Sequence, residues 1–335
     1  MRGELQIVVA AVSCGAFVAV AEPLTIAALH RVAAIDVPGL RSSHTVATPR
    51  GGGAPIAIGL VAVALVIGSP VAAAFAIAVW AFAAIGLGED LFGLSVTGRL
   101  VLQAAAGIAA AAALVRQLGL SPELAVPVLL LIAAWVAAFV NAFNFMDGVN
   151  GISGAHAVIG GATYACIGVW RSDVFLIGIG CAVSAGALAF LPWNAVRARV
   201  FLGDVGSYGL GAALAVLAAA AVISGVPVEA AIGPLALYLA DTSWTLQRRV
   251  RSGERWLEAH RSHVYQQWCD LGWSHQRVAT LTAVASAGLA MLGMASLSGH
   301  IVVRAAADVA SVTMLAAYLR SPVLIGRLAP RLERA

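Results

Sequence analysis

Apolar runs long enough to cross a bilayer follow one another along almost the whole chain, and nothing else in it constrains the fold as strongly. A helix of about 17–25 residues crosses the ~30 Å hydrocarbon layer. Such runs lie at about 5–29, 53–69, 71–88, 100–118, 124–143, 152–170, 174–193, 207–225, 228–246, 277–297 and 301–319. They predict an all-α polytopic membrane protein of roughly 10–11 transmembrane helices. The expected organisation is one integral membrane domain over 1–335, with a long connection at 248–275. A water-soluble fold is excluded, because with 61% hydrophobic and 11% charged residues the surface of a 335-residue protein could not be covered. The first run is too long for the core of a signal peptide and carries no convincing cleavage site, so it is expected to remain as a span.

The positive charges are all arginine. Arg31, Arg41, Arg50, Arg99, Arg197, Arg199, Arg248, Arg249, Arg251, Arg255, Arg261 and Arg277 fall in odd-to-even connections. Only Arg116, Arg171 and Arg304 fall in the others. The positive-inside bias places the first set in the cytoplasm, the N-terminus outside and the Arg320–Arg334 tail inside. The net charge of +4 is explained by this topology, without a nucleic acid partner. The four cysteines show no metal-binding spacing, and three sit inside predicted spans, where cysteine behaves as a small apolar residue.

The unusual polar islands all fall on the predicted cytoplasmic side. The most informative is Asn141–Gly151, in which Asn141, Asn144 and Asp147 share a helical face at i, i+3 spacing. Asn150 extends the stripe if the helix does not break at Gly148. Polar groups at a membrane boundary need partners, so such a stripe is costly to place without a role. The other islands are Asp36 with Arg41–Gly53, then Gly88–Ser95, Phe201–Ser207, and the connection holding Asp241, Arg248, Arg249, Arg251, His260–Tyr265 and Gly272–His275. Gly203–Gly209 suits a backbone phosphate cradle at a helix N-terminus and equally a turn of small residues for helix packing. Glu89 and Asp90 point about 100° apart on a helix, so one of them, Asp90, is the candidate. His260 and His263 lack a third ligand at useful spacing, which disfavours zinc. With Arg248, Arg249 and Arg261 nearby they suit a diphosphate better, although a solvated basic loop accounts for the same residues. Glu22, beside Pro23 in the first run, is left unassigned.

Taken jointly, several carboxylates, amides, glycine-rich turns, histidines and arginines at one membrane face suit magnesium and a transferring phosphate. Such a site meets a soluble nucleotide from one side and a lipid head group from the other.

In order, spacing and sidedness, these islands resemble the polyprenyl-phosphate N-acetylhexosamine-1-phosphate transferases from Arg41 to about His275. That family includes the phospho-N-acetylmuramoyl-pentapeptide transferase and the enzymes that start O-antigen and teichoic acid chains. Thr48–Gly53, Gly86–Asp90, Asn141–Gly151, Phe201–Ser207 and His260–His263 each look like a family motif. Two departures are Glu89, where the family usually has Asp, and Asn150, where it commonly has Asp. The resemblance implies Asp204, with Asp147, as magnesium ligands and Asp90 as proton acceptor from the lipid phosphate. It further implies that Asn144 and Asp147 order the uridine nucleotide and that His260 and His263 bind diphosphate. Asp90, Asp147, Asp204, His260 and His263 are thus the expected catalytic set. Glu89, Asn141, Asn144, Asn150, Arg50 and Arg261 are the expected substrate contacts. The implied partners are a UDP-sugar, undecaprenyl phosphate and the bilayer of a bacterial inner membrane, with a homodimer left open. The His-x-x-His-x-Tyr loop looks closer to the branch that starts O-antigen or exopolysaccharide chains. A transporter or flippase, or an inactive scaffold, are the competing readings. Against a transporter, the chain lacks repeated halves and its polar islands sit at one face.

Overall fold

The computed structural model describes residues 2–38, 46–254 and 261–332. Its helices are α1 (Arg2–Arg31), α2 (Ala54–Ile67), α3 (Pro70–Phe92), α4 (Val96–Val115), α5 (Pro122–Met146), α6 (Ile152–Arg171) and α7 (Val174–Asn194). They continue as α8 (Gly203–Ile223), α9 (Val228–Ile232), α10 (Ala236–Arg251), α11 (Val264–Asp270), α12 (His275–Ala295) and α13 (Ile301–Leu332). One two-residue ribbon, β1 (Ile35–Asp36) against β2 (Thr48–Pro49), is antiparallel, with Ile35 opposite Pro49. Helix starts are written in the sequence. Ser69 accepts the Ala72 N–H, Ser95 that of Gly98 and Asp173 that of Leu176, each satisfying a donor the helix itself cannot pair.

Among the described residues, nine helices are long and apolar enough to cross a membrane. Two of the eleven expected spans therefore differ from the expectation. The second is only α2, 14 residues between the Gly51–Gly53 turn and Gly68-Ser69-Pro70, about 21 Å long at 1.5 Å per residue. The ninth is broken into α9, a 3-10 turn at Gly233–Leu235 and α10, because Pro234 has no N–H to continue the ladder. Both still run between the two ends of the bundle. Gly53 abuts Gly206 and Leu202 at the start of α8, whereas Ile67 lies by Gly178 near the start of α7. Glu229 of α9 pairs with Arg304 at the start of α13, whereas Arg248 of α10 reaches the Ser262 carbonyl beside α11.

Helix α8 forms the axis, with 83% of its span buried, against 22% for α1 and 11% for α13. It packs on α2, α3, α5, α6 and α7. At its first turn the approach is so close that a Cβ on Gly86 would lie 2.1 Å from the Asp204 carbonyl oxygen. One added methyl on α3 would push away the backbone of Asp204.

Candidate active site

The helix ends that converge at the start of α8 bring Asp90, Arg50, Asn144 and Asp204 together. Asp90, on the last turn of α3, aims its carboxylate at that start. Its Oδ1 accepts the Asp204 N–H at 3.0 Å and its Oδ2 the Val205 N–H at 2.9 Å. The Arg50 Nε stands 2.8 Å from the same Oδ1. Arg50 is delivered there because it bridges to Phe201 in parallel fashion, and Phe201 N–H donates to the Pro49 carbonyl. A carboxylate at this place meets unpaired N–H groups and the positive end of the helix dipole. Asp90 is 1% exposed and lies outside the lining of the neighbouring pocket. Asp90 takes the Asp204 and Val205 N–H groups, two of those that the cradle reading of Gly203–Gly209 would offer a phosphate, and with Arg50 it holds three donors.

The pocket beside this junction has a volume of about 240 Å³. Arg50, Asn144, Asp147, Asn150 and Asp204 line it, together with Gln266 and His275. Asn144 fixes Asp204, its Nδ2 donating to Asp204 Oδ1 at 3.0 Å and to Ser207 Oγ at 2.9 Å. Helix α5 ends at Met146, and Asp147 follows as its cap with φ −87° and ψ 50°. The stripe therefore breaks before Asn150, which sits in the next turn, its N–H 3.5 Å from His275 Nδ1. Gly148 is required in that turn, since a Cβ there would lie 2.2 Å from the Tyr265 hydroxyl. Burial pushes the Asp147 carboxyl up to about 7, and the negative charges of Asp204 and Asp90 add to the shift.

Among the described residues, no three Asp, Glu, His or Cys side chains converge on one metal position. That donor set still fits magnesium, which takes one or two carboxylates and completes its shell with water and phosphate oxygens. Asp36, Asp147 and Asp204 line the same pocket as Arg50, with Asp90 and Glu89 beside it, so the carboxylates outnumber the guanidinium groups of Arg50 and Arg99. The surplus negative charge favours a divalent cation.

Several expected residues lie elsewhere. Asn141 donates to Gln103 Oε1 at 2.7 Å and to the Ala137 carbonyl, clipping α4 to α5. Glu89 accepts the Leu94 N–H at 2.6 Å and pairs with Arg99 at 3.2 Å. The direction of Glu89 follows from helix geometry, which turns it away from the target of Asp90. His263 is 3% exposed, with Nδ1 3.0 Å from Asp241 Oδ1. Asp241 also accepts from Tyr318 at 2.7 Å and from the Val264 N–H, so it locks α11 onto α10 and α13. Arg261 pairs with Asp270 at 3.2 Å. His260, with Arg41 and His44, lies outside the described residues.

The sequence reading passed over Asn194, Gln266 and Gln103. Asn194 accepts the Gly151 N–H at 2.7 Å and donates to the Val200 carbonyl at 3.0 Å, tying the α5–α6 turn to the loop before α8. An Asn closing the apolar run of α7 was the available signal.

Residues 72–222 match the description "Glycosyl transferase family 4". Over 317 residues the chain is 30% identical to the decaprenyl-phosphate N-acetylglucosaminephosphotransferase of Mycolicibacterium smegmatis, covering 79% of this chain and 76% of that one. The chain belongs to glycosyl transferase family 4. It is also 28% identical over 290 residues to a probable undecaprenyl-phosphate N-acetylglucosaminyl 1-phosphate transferase of Bacillus subtilis, covering 81% of this chain and 80% of that relative. A phospho-N-acetylmuramoyl-pentapeptide-transferase of Moorella thermoacetica is 32% identical over 192 residues, 51% of this chain and 60% of its own. The family 4 match contains Asp90, Asn144, Asp147, Asn150 and Asp204, whereas Arg50, Gln266 and His275 reach the same pocket from outside it.

Proposed function

We propose that this family 4 enzyme transfers an N-acetylhexosamine 1-phosphate from its UDP-sugar to undecaprenyl phosphate, releasing UMP. The observation that carries the reading is the pocket where Arg50, Asn144, Asp147 and Asp204 meet at one end of a membrane bundle. A nucleotide diphosphate needs cationic and amide donors, and a metal that bridges its oxygens needs carboxylates. The arginine distribution supports a cytoplasmic position for this end of the bundle, where nucleotide sugars are soluble. Two N-acetylglucosamine-named relatives align over about four fifths of the chain, which favours a simple N-acetylhexosamine donor, or its 6-deoxy relative, over the pentapeptide-bearing one. The product would start a bacterial surface polysaccharide such as an O-antigen.

In this reading, an oxygen of the lipid phosphate attacks the sugar-linked phosphorus. The bond from that phosphorus to the oxygen bridging it to the nucleotide's α-phosphorus breaks, and UMP carries that oxygen away. A phosphomonoester with a second pKa of about 6 is already largely dianionic at neutral pH, so the attack needs no protein base. That frees Asp90 for the role its hydrogen bonds indicate, holding α3, Arg50 and the first turn of α8 in register. Arg50 faces the pocket to neutralise phosphate charge. Asp204 and Asp147 would hold magnesium, which supplies charge neutralisation across the diphosphate. Asn144 keeps Asp204 in place for it.

The test is UMP release by purified protein with undecaprenyl phosphate and a panel of UDP-N-acetylhexosamines, with and without magnesium. Asp204→Asn is expected to lose nearly all turnover while still folding. Near-normal magnesium-dependent turnover in that variant would remove Asp204 from the site.

A further inference from the structure

Behind Asp147 lies a group of polar side chains that the chemistry above does not use. Ser153, His156 and Tyr238 are 1%, 0% and 0% exposed, near the starts of the packed helices α6 and α10. The Ser153 Oγ, the His156 Nε2 and the Tyr238 hydroxyl are buried without a hydrogen-bond partner. Buried polar groups are nearly always paired, and one left alone costs about 1–3 kcal/mol. Three such atoms in adjoining residues therefore call for a reason.

Their surroundings supply one. The Ser153 hydroxyl stands beside both the Asp147 carboxylate and the Tyr238 phenol. The Tyr238 ring is stacked on His156 at 3.7 Å between centroids, with 12° between planes. His156 is anchored in turn through Nδ1, 3.0 Å from Ser286 Oγ on α12. Phe143, one turn before Asp147 on α5, packs against both rings, at 5.5 Å from Tyr238 and 6.0 Å from His156. The phenol is thus clamped on its face; of the two carboxylates near it, Asp241 is already engaged by Tyr318, His263 and the Val264 N–H, which leaves Asp147 for its hydroxyl.

We infer that Ser153 and Tyr238 are positioning residues for Asp147, their two hydroxyls orienting its carboxylate toward a divalent cation in the pocket. His156 and Ser286 hold the tyrosine ring, with no contact to the pocket. The hydroxyls lack partners elsewhere because their acceptor is Asp147 in its ionised, cation-facing orientation. Groups that orient a metal's ligands in this way are typically worth about 10–100-fold in metal affinity or activity. The inference rests on Asp147 belonging to the magnesium site.

The experiment compares wild type, Tyr238→Phe, Ser153→Ala, Ser153→Thr and Ser286→Ala. Two readouts are taken: the magnesium-dependent rise in melting temperature of the full chain in detergent without nucleotide, and the magnesium dependence of UMP release. Tyr238→Phe keeps the stacked ring and Ser153→Ala is small, so both are expected to fold. Each should shift the magnesium midpoint about 10–100-fold higher in both readouts, lowering kcat at fixed magnesium while KM for the UDP-sugar stays within about twofold. Ser153→Thr should restore the midpoint, and Ser286→Ala should lower the melting temperature without moving it. Wild-type midpoints in both Tyr238→Phe and Ser153→Ala would overturn the inference. If wild type released no UMP with any donor, the reaction assigned above would fail, and the melting series would still decide the positioning role.

Discussion

Replacing Asp90 by Asn separates a structural clip from a chemical group. The carboxylate accepts two backbone N–H groups of α8 and pairs with Arg50, all while 1% exposed. Asn retains one acceptor oxygen, so at most one of the backbone bonds survives as it stands. The other N–H then faces an amide NH₂, donor against donor. Losing a hydrogen bond to a charged acceptor costs about 1.5–3 kcal/mol, and losing the negative charge at a helix N-terminus about 0.3–1 kcal/mol more. Arg50 is 34% exposed, so solvent screening limits its share to about 1 kcal/mol or less. The total is about 2–5 kcal/mol of stability. Unfolding followed by tryptophan fluorescence in detergent reads this directly, and UMP release is measured on the same sample. A clip predicts that melting temperature and turnover fall together, because Asp204 shifts when the start of α8 is released. An unchanged melting temperature with turnover down about a thousandfold or more, the scale of a lost general base, would refute the reasoning.

Gly148→Ala places a Cβ 2.2 Å from the Tyr265 hydroxyl and should displace the Asp147 turn, with turnover lost and the melting temperature lowered. Tyr265→Phe in the same chain should recover only part of the loss, because the ring carbons would still lie 3.0 and 3.1 Å away. Asn141→Ala should lower thermal stability through the lost Gln103 contact while leaving KM for the nucleotide within about twofold. Asp147, raised to about 7, is neutral below that pH and charged above it. The pH profile of UMP release should therefore fall on its acid side near 7 at low magnesium, and added magnesium should move that limb to lower pH by favouring the charged form. A limb insensitive to magnesium would remove Asp147 from the metal site.

Much of this architecture was legible because membrane helices must be apolar and long. The lengths of the runs located the passes, and only local backbone chemistry escaped them: Pro234 broke one, and two glycine-rich turns shortened another. Arg50, Asn144, Asp147 and Asp204 stood out as polar residues at the ends of apolar runs. What run-reading cannot supply is direction and pairing. Asn141 has the same spacing and chemistry as Asn144, yet it turns to Gln103, a partner on α4 that only packing reveals. His263 follows an arginine-rich stretch, but Asp241, 22 residues earlier, draws it into the interior. The angle between neighbours on a helix separates Asp90 from Glu89. Its target, the backbone of α8 more than a hundred residues later, is a tertiary fact.

The central claim is that a phosphate, and not the sugar alone, passes to the lipid. A UDP-N-acetylhexosamine radiolabelled at its sugar-linked phosphorus tests this in one step, with undecaprenyl phosphate and magnesium present. The account predicts label in the lipid-extractable product and unlabelled UMP in the aqueous phase. Label recovered in released UDP, with only sugar in the lipid fraction, would contradict it.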